Sequence, residues 1–194
     1  LQVLFNLAWI DPILRERDPS LKALVRKGEG FTEEDKNVVL ASGRTILNEI
    51  VPAYKRACEA GKIEISTTPY FHPILPLLID TNLARGALPD AALPEPPFRH
   101  PEDAREQLAR AVAQHRALFG REPKGLWPSE GSVCQALIPL ATEAGFSWMA
   151  SDEEILARSL GLPIDRDGHG LVRAPERLYR PYWAVEGPAQ IAMI

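Results

Sequence analysis

The sequence predicts an α/β protein in which helices flank a parallel sheet. Short apolar runs alternate with longer amphipathic stretches at least four times along the 194 residues, and this order is typical of parallel strands joined by helices. A polar or aromatic residue follows nearly every predicted strand, and the carboxyl ends of parallel strands meet at one edge of a sheet. The alternation leaves open whether the sheet is open or closes into a barrel.

The composition is that of an ordinary folded protein, with 45% hydrophobic and 25% charged residues. The net charge of −4, without a long run of Lys or Arg, argues against nucleic acid or an anionic membrane as the main partner. No stretch approaches the roughly 20 apolar residues of a membrane span, and no signal peptide begins the chain. Cys58 and Cys134 have neither metal-site nor disulfide-framework spacing. We therefore expect a cytoplasmic protein without a metal or another cofactor, and the oligomeric state stays open.

The first segment, Leu1 to Trp9, is almost wholly apolar, which predicts a strand buried on both faces. Asp11-Pro12 would end this strand and leave Trp9 close to its carboxyl end. A stripe of Leu and Val at helical spacing predicts a short surface helix within residues 15–30, closed by Gly28 or Gly30.

A long amphipathic helix is predicted next. Thr32 and Asp35 approximate a capping box at its start, and Gly61 ends it. Pro52 lies inside the pattern and should kink or split the helix. The alternation in Lys62 to Ser66 then predicts a strand that contains Glu64.

Polar and aromatic residues follow this strand, among them Tyr70 and His72. A lone histidine before a proline is often a satisfied structural group, but its position after a strand favours a role in a site; both interpretations stay open. Residues 74–79 predict a short buried helix. Residues 83–100 predict an irregular, Pro-rich surface insertion.

A helix is predicted to begin at Pro101 and to end at Gly120. The stretch Gly125 to Val133 then reads as a strand end with Trp127, a turn that carries Glu130, and the start of a helix that runs to Ala144. Glu130 either favours a helix start through the macrodipole or is a reactive carboxylate at the rim of the sheet. Pro139 conflicts with the helical pattern for a reason that the sequence does not supply.

The apolar residues 146–150 predict another strand, and Asp152 follows it. Either Ser151 or Asp152 caps the next helix, or Asp152 belongs to a site shared with Glu130. Residues 161–194 form a strand-rich part, with a turn at 165–170 and strands at Leu178 to Val185 and Gln190 to Ile194.

Three blocks in this order and spacing resemble glycoside hydrolase family 57. They are Gly61-Lys62-Ile63-Glu64-Ile65 followed by Tyr70-Phe71-His72-Pro73-Ile74-Leu75-Pro76; Leu126-Trp127-Pro128-Ser129-Glu130-Gly131-Ser132-Val133; and Ala144-Gly145-Phe146 leading to Ser151-Asp152-Glu153. The resemblance extends to Asn6-Leu7-Ala8-Trp9, and so covers most of the chain.

The resemblance implies an incomplete (β/α)7 barrel that acts on α-glucans by a retaining mechanism. Glu130 matches the nucleophile of the family. Glu64 and His72 match positions that line sugar subsites, and Asp152 matches a subsite or support position. Trp9, Tyr70 and Trp127 offer aromatic faces to glucose rings. No cofactor is implied.

The chain also departs from the family pattern. The His-Gln-Pro block of the first strand is absent, and the acid/base aspartate is expected beyond Ile194. Lys62 stands where the family usually has Gln. We therefore expect residues 1–194 to be one partial barrel domain, truncated at both ends, that holds the nucleophile half of an active site.

Two other classes of protein compete with this interpretation. A metal-dependent polysaccharide deacetylase needs a His-x-x-x-His pair and an Asp, and the four histidines, His72, His100, His115 and His169, never have that spacing. A non-catalytic carbohydrate-binding module would keep the aromatic face but lack one acid. The sequence outside residues 1–194 separates this module from the glycosidase.

Overall fold

The computed structural model describes residues 1–194, which form two compact units, Leu1–Ile63 and Glu64–Ile194. None of the helices combines the length and the apolar character that crossing a membrane requires.

The first unit is helical. Its helices are α1 (Gln2–Trp9), α2 (Pro12–Arg17), α3 (Pro19–Lys27) and α4 (Glu33–Glu59). Their buried side chains form one small core, made of Val3, Leu7, Leu21, Leu24 and Val39. This unit therefore has its own apolar interior without any strand.

The predicted strand at Leu1 to Trp9 is wrong, because this segment is α1. Val3 and Leu7, four residues apart, are buried, whereas Leu4 and Phe5 are half exposed or more. A short apolar run does not distinguish a buried strand from a helix, and here the helical period prevails. Trp9 is the last residue of α1, and its ring contacts that of Phe5 at 6.1 Å. It is therefore not at the end of a strand.

The predicted signals for the end of α3 and the start of α4 are confirmed. Gly28 ends α3 with φ at 71°, where the absent Cβ permits a left-handed backbone. Thr32 and Asp35 form a complete capping box at the start of α4. Pro52 does not split α4, which continues as one helix to Glu59.

The second unit contains a four-stranded, mostly parallel sheet. Its strands are β1 (Gly125–Leu126), β2 (Trp148–Met149), β3 (Tyr182–Glu186) and β4 (Ala189–Met193), in the order β1-β2-β4-β3. β1 pairs with β2 and β2 with β4 in parallel, and β3 pairs with β4 in antiparallel. Thr67 adds a parallel bridge to Leu126, so the strand predicted at 62–66 is reduced to a single bridge one residue later. The predicted α/β class is confirmed.

Helices cover one face of this sheet. They are α5 (Leu75–Ile79), α6 (Pro101–Phe119) and α7 (Leu137–Glu143). The unit also contains α8 (Glu153–Leu160) and α9 (Pro175–Leu178), with 3₁₀ turns at Thr81–Gly86 and Ser129–Gly131. Leu126, Met149 and Ile191 of the strands are buried in one cluster with Leu108 and Leu137 of the helices. Since side chains alternate along a strand, Gly125 and Trp148 belong to the opposite face.

Two of the boundaries that differ from the prediction have a local cause. The helix predicted from Val133 begins only at Leu137, so Pro139 lies in its first turn. There the backbone N–H has no intrahelical partner, so a proline is tolerated and the conflict disappears. The strand predicted from Leu178 begins at Tyr182, because Pro175–Leu178 is a short helix.

Candidate active site

Glu130 lies on a tight turn at the carboxyl end of β1. The N–H of Trp127 donates to the carbonyl of Thr67 at 2.7 Å and closes the strand pairing, and Pro128 then begins the turn. Glu130 has φ at 55° and Gly131 has φ at 64°. A left-handed conformation costs a residue with a side chain about 1–2 kcal/mol. Such strain at an exposed carboxylate is typical of functional sites.

His72 also has a left-handed backbone, with φ at 57°. Its N–H donates to the carbonyl of Pro69 at 2.9 Å. Helix α6 holds the same loop through Gln107, whose backbone carbonyl accepts from the N–H of Tyr70 at 3.3 Å and whose side-chain oxygen accepts from the N–H of Phe71 at 2.8 Å. The position of His72 is therefore determined by a helix that packs on the core.

These two turns bring His72 and Glu130 together. The imidazole Nε2 lies 3.4 Å from Oε1 of Glu130, and Nδ1 lies 3.1 Å from the hydroxyl of Thr68. When the hydroxyl donates to Nδ1, Nε2 carries the proton and donates to the carboxylate. The contact is long for a hydrogen bond and can shorten when a substrate binds. The carboxylate side chain is 74% exposed, so it is accessible to a ligand.

A second strand end supports the turn that carries Glu130. The hydroxyl of Ser151 donates to the carbonyl of Gly131 at 2.9 Å, directly after β2. Asp152 follows, and its carboxylate accepts from the N–H groups of Glu154 and Ile155 at 2.9 and 3.0 Å. The predicted capping role of Asp152 is confirmed. Its role in binding a sugar stays a prediction.

Glu64 has a partner that sequence reasoning missed. The indole N–H of Trp148 donates to the Glu64 carboxylate at 2.9 Å. The benzo ring of this indole lies over Gly125, since a Cβ built there would be 2.0 to 2.4 Å from three ring atoms. A glycine inside a strand often marks such a close approach, and Gly125 was the available signal.

Exposed aromatic rings surround the two turns. Trp127 is 57% exposed and follows β1 directly, on the turn side of the strand. Tyr70 and Phe71 contact each other edge to face, with 4.6 Å between ring centroids, and Phe71 is 69% exposed. Exposed aromatic faces of this kind can pack against the apolar faces of sugar rings. Phe71 was not predicted.

A cavity of about 310 Å³ opens beside Asp152. Its wall contains Ser151, Asp152, Arg180, Tyr182 and Trp183. Arg180 stacks over the ring of Tyr182 at 4.7 Å. The turn at Gly131 and this cavity therefore share the residue Ser151.

The predicted site residues fall into three groups. His72 and Glu130 are in contact; Tyr70, Trp127 and Asp152 flank their turns, while Glu64 is bonded to Trp148 and Trp9 belongs to the first unit. Thr68, Gln107, Ser151 and Trp148 have positioning contacts that were not predicted from the sequence. No three His, Cys, Asp or Glu side chains are arranged to hold a metal ion. Burial raises the pKa of the Cys134 thiol, which disfavours its reactive thiolate form.

Comparison with known proteins identifies the class. Residues 1–194 match the description "Glycosyl hydrolase family 57", while no curated protein matches. The chain belongs to glycosyl hydrolase family 57, and the resemblance inferred from the sequence is confirmed.

Solved structures of other proteins share the fold. A 4-alpha-glucanotransferase from Thermococcus litoralis is 20% identical with a TM-score of 0.52, and the match covers 80% of this chain and 19% of that one. An alpha-amylase from Thermotoga maritima is 16% identical with a TM-score of 0.53, and the match covers 100% of this chain and 31% of that one. A branching enzyme from Thermococcus kodakaraensis, solved with glucose, is 18% identical with a TM-score of 0.55, and the match covers 93% of this chain and 33% of that one. The chain thus spans between a fifth and a third of their length.

Proposed function

We propose that the chain carries the nucleophile half of the active site of a retaining glycoside hydrolase or transglycosylase that acts on α-glucans, on an incomplete (β/α)7 barrel. The observation that supports this most is the carboxylate of Glu130. It is exposed, lies on a strained turn at the carboxyl end of a parallel strand, and contacts His72. That edge is where α/β folds bind their ligands.

In this proposal the carboxylate of Glu130 attacks the anomeric carbon and forms a glycosyl-enzyme. A donor at Nε2 of His72 orients the carboxylate for the attack. A second carboxylate, about 5 to 5.5 Å away, protonates the leaving oxygen and then activates water. We propose that this acid/base is an aspartate outside residues 1–194, as the family resemblance implies.

The substrate is proposed to be a neutral α-glucan chain. The solved neighbours are by name a glucanotransferase, an amylase and a branching enzyme, and these names support glucan as the substrate class. Trp127 and Tyr70 would stack on glucose rings, while Glu64 and Asp152 would accept hydrogen bonds from hydroxyl groups. The cavity beside Asp152 offers space for a further sugar unit.

An α-maltosyl fluoride substrate tests the proposal, because fluoride leaves without a general acid and the nucleophile half suffices for the first step. We expect the wild-type chain to release fluoride at least in a first turnover. Glu130→Gln should abolish the release and keep thermal stability. Glu186→Gln, at an exposed strand end, is the matched control and should retain it.

The alternative is a non-catalytic carbohydrate-binding module, favoured by the exposed aromatic rings around the site. Maltooligosaccharide binding without any fluoride release, in the chain and in the longest protein that contains it, would support the module and contradict the glycosidase.

A further inference from the structure

The indole of Trp148 spans the width of a strand on the face of the sheet away from the helices. Trp148 and Gly125 are paired neighbours on β2 and β1, and their strand companions Met149 and Leu126 point into the core. The indole therefore lies on the other face, over Gly125, where a Cβ would meet its ring atoms.

The far edge of this indole reaches Glu64. Thr67 pairs with Leu126 on the side of β1 away from β2, so the segment that contains Glu64 is separated from β2 by β1. Neighbouring strands are about 4.8 Å apart, and only a large side chain lying flat bridges two such spacings. The 2.9 Å hydrogen bond from the indole N–H to Oε1 of Glu64 is the result.

The hydrogen bond between Trp148 and Glu64 requires a glycine at position 125. A Cβ at this position would lie 2.0 Å from one ring atom and 2.2 and 2.4 Å from its two bonded neighbours. Contacts this short do not occur, so any side chain at 125 displaces the indole and breaks its bond to Glu64. Glycine is therefore required here by Trp148, since its own φ is not left-handed.

We propose that Trp148 is a positioning residue for substrate binding: its indole N–H, seated over Gly125, fixes the carboxylate of Glu64 for a sugar hydroxyl. This rests on the proposed function, in which Glu64 contacts the glucan. One carboxylate oxygen is occupied by the indole, and the other accepts from the substrate. Because Glu64 is exposed, its side chain would otherwise sample several rotamers, and ordering it beforehand lowers the entropic cost of binding.

The pair itself is tested by NMR of the indole N–H groups, without any activity. Glu64→Gln should move the Trp148 indole signal, while the signals of Trp9, Trp127 and Trp183 stay in place. In a protein that already carries Gly125→Ala, adding Glu64→Gln should no longer move the Trp148 indole signal, because the displaced indole does not reach position 64.

The positioning role is tested by calorimetric titration with maltoheptaose. Trp148→Phe keeps a flat ring over Gly125 but removes the N–H. We expect Trp148→Phe and Glu64→Gln each to weaken binding about tenfold, as for one hydrogen bond to a charged group. The double variant should bind no more weakly than Glu64→Gln alone, because Trp148→Phe removes the donor of this hydrogen bond and Glu64→Gln removes the charge of its acceptor.

The outcomes separate the two proposals. The positioning role is overturned if the Trp148 indole signal does not move in Glu64→Gln. It is also overturned if Trp148→Phe keeps the wild-type affinity for maltoheptaose while Glu64→Gln loses affinity. Either result leaves the glycosidase proposal intact. A moved signal together with no glucan binding by the wild-type chain overturns both. If Trp148→Phe does not fold, Gly125→Ala takes its place. The positioning role is then overturned if the losses of maltoheptaose affinity in Gly125→Ala and Glu64→Gln add up in the double variant.

Discussion

The imidazole of His72 and the carboxylate of Glu130 lie 3.4 Å apart although 58 residues separate them in the chain. Both residues have a left-handed backbone, and they are the only two residues other than glycine that do. The two strained turns thus place one imidazole opposite one carboxylate. If the strain serves this pairing, changes at either turn should affect chemistry more than folding.

Replacing His72 tests the contact directly. His72→Ala should lower the rate of fluoride release from α-maltosyl fluoride by about 10- to 150-fold, because a hydrogen bond to a charged group contributes about 1.5–3 kcal/mol. His72→Asn should lower the rate of fluoride release less than His72→Ala does, since Asn tolerates a left-handed backbone and keeps a hydrogen-bond donor. The free energy of unfolding should change little, because both side chains are exposed. An unaltered rate in His72→Ala would exclude a role for the contact.

Glu130→Asn should stabilise the protein while abolishing activity. Asn adopts the left-handed conformation more readily than Glu, so the free energy of unfolding should rise by about 0.5–1 kcal/mol in urea titrations. Glu130→Gln is the control, because it removes the charge but keeps the strained backbone, and its stability should stay near that of the wild type. Equal stability of the two variants would mean that the turn stores no strain.

Ser151 should act through the turn that it holds. Removing its hydroxyl in Ser151→Ala frees the carbonyl of Gly131, which should cost about 1 kcal/mol of stability and slow fluoride release. Thr45→Ala is the control, since this hydroxyl donates to the carbonyl of Ala41 at 3.2 Å within α4, in the other unit. A similar slowing in both variants would show that Ser151 has no specific effect on Glu130.

The Arg166–Glu153 ion pair should stabilise the start of α8 in a pH-dependent manner. The two groups contact each other through two hydrogen bonds of 2.5 and 2.6 Å, and the Arg166 side chain lowers the pKa of Glu153 from 4.5. A lowered folded-state pKa contributes stability above about pH 4.5, and this contribution is lost as the pH falls through the lowered value.

Carboxyl NMR titration checks this pair. Arg166→Gln should raise the Glu153 pKa toward 4.5, whereas replacing another exposed arginine, in Arg85→Gln, should leave it lowered. An unchanged Glu153 pKa in Arg166→Gln would mean that the lowering has another origin, such as the helix N-terminus.

Local signals in the sequence predicted the helices well because their causes are local. The capping box at Thr32 and the C-terminal Gly120, with φ at 75°, act within a few residues of themselves. The strand at Leu1 to Trp9 was wrong because an apolar run has no period of its own, and packing among helices decided its structure. The short strands β1 and β2 were located, but their length depends on pairing partners far along the chain.

The site was predicted where residues at strand ends carry the chemistry, as for His72 and Glu130. Its supports were missed because they depend on tertiary distances. Gln107 reaches the loop of His72 from α6, and Trp148 crosses β1 to Glu64. Neither contact has a signature in the spacing of residues.

The nucleophile role of Glu130 is tested most directly by trapping it. Incubation with a 5-fluoro-α-glucosyl fluoride should leave a stable glycosyl adduct, because the ring fluorine slows both steps while the good fluoride leaving group keeps formation of the ester faster than its hydrolysis. Mass spectrometry of proteolytic peptides should assign the adduct to Glu130 and find none in Glu130→Gln. An adduct on another carboxylate, or equal labelling of wild type and variant, would contradict the account.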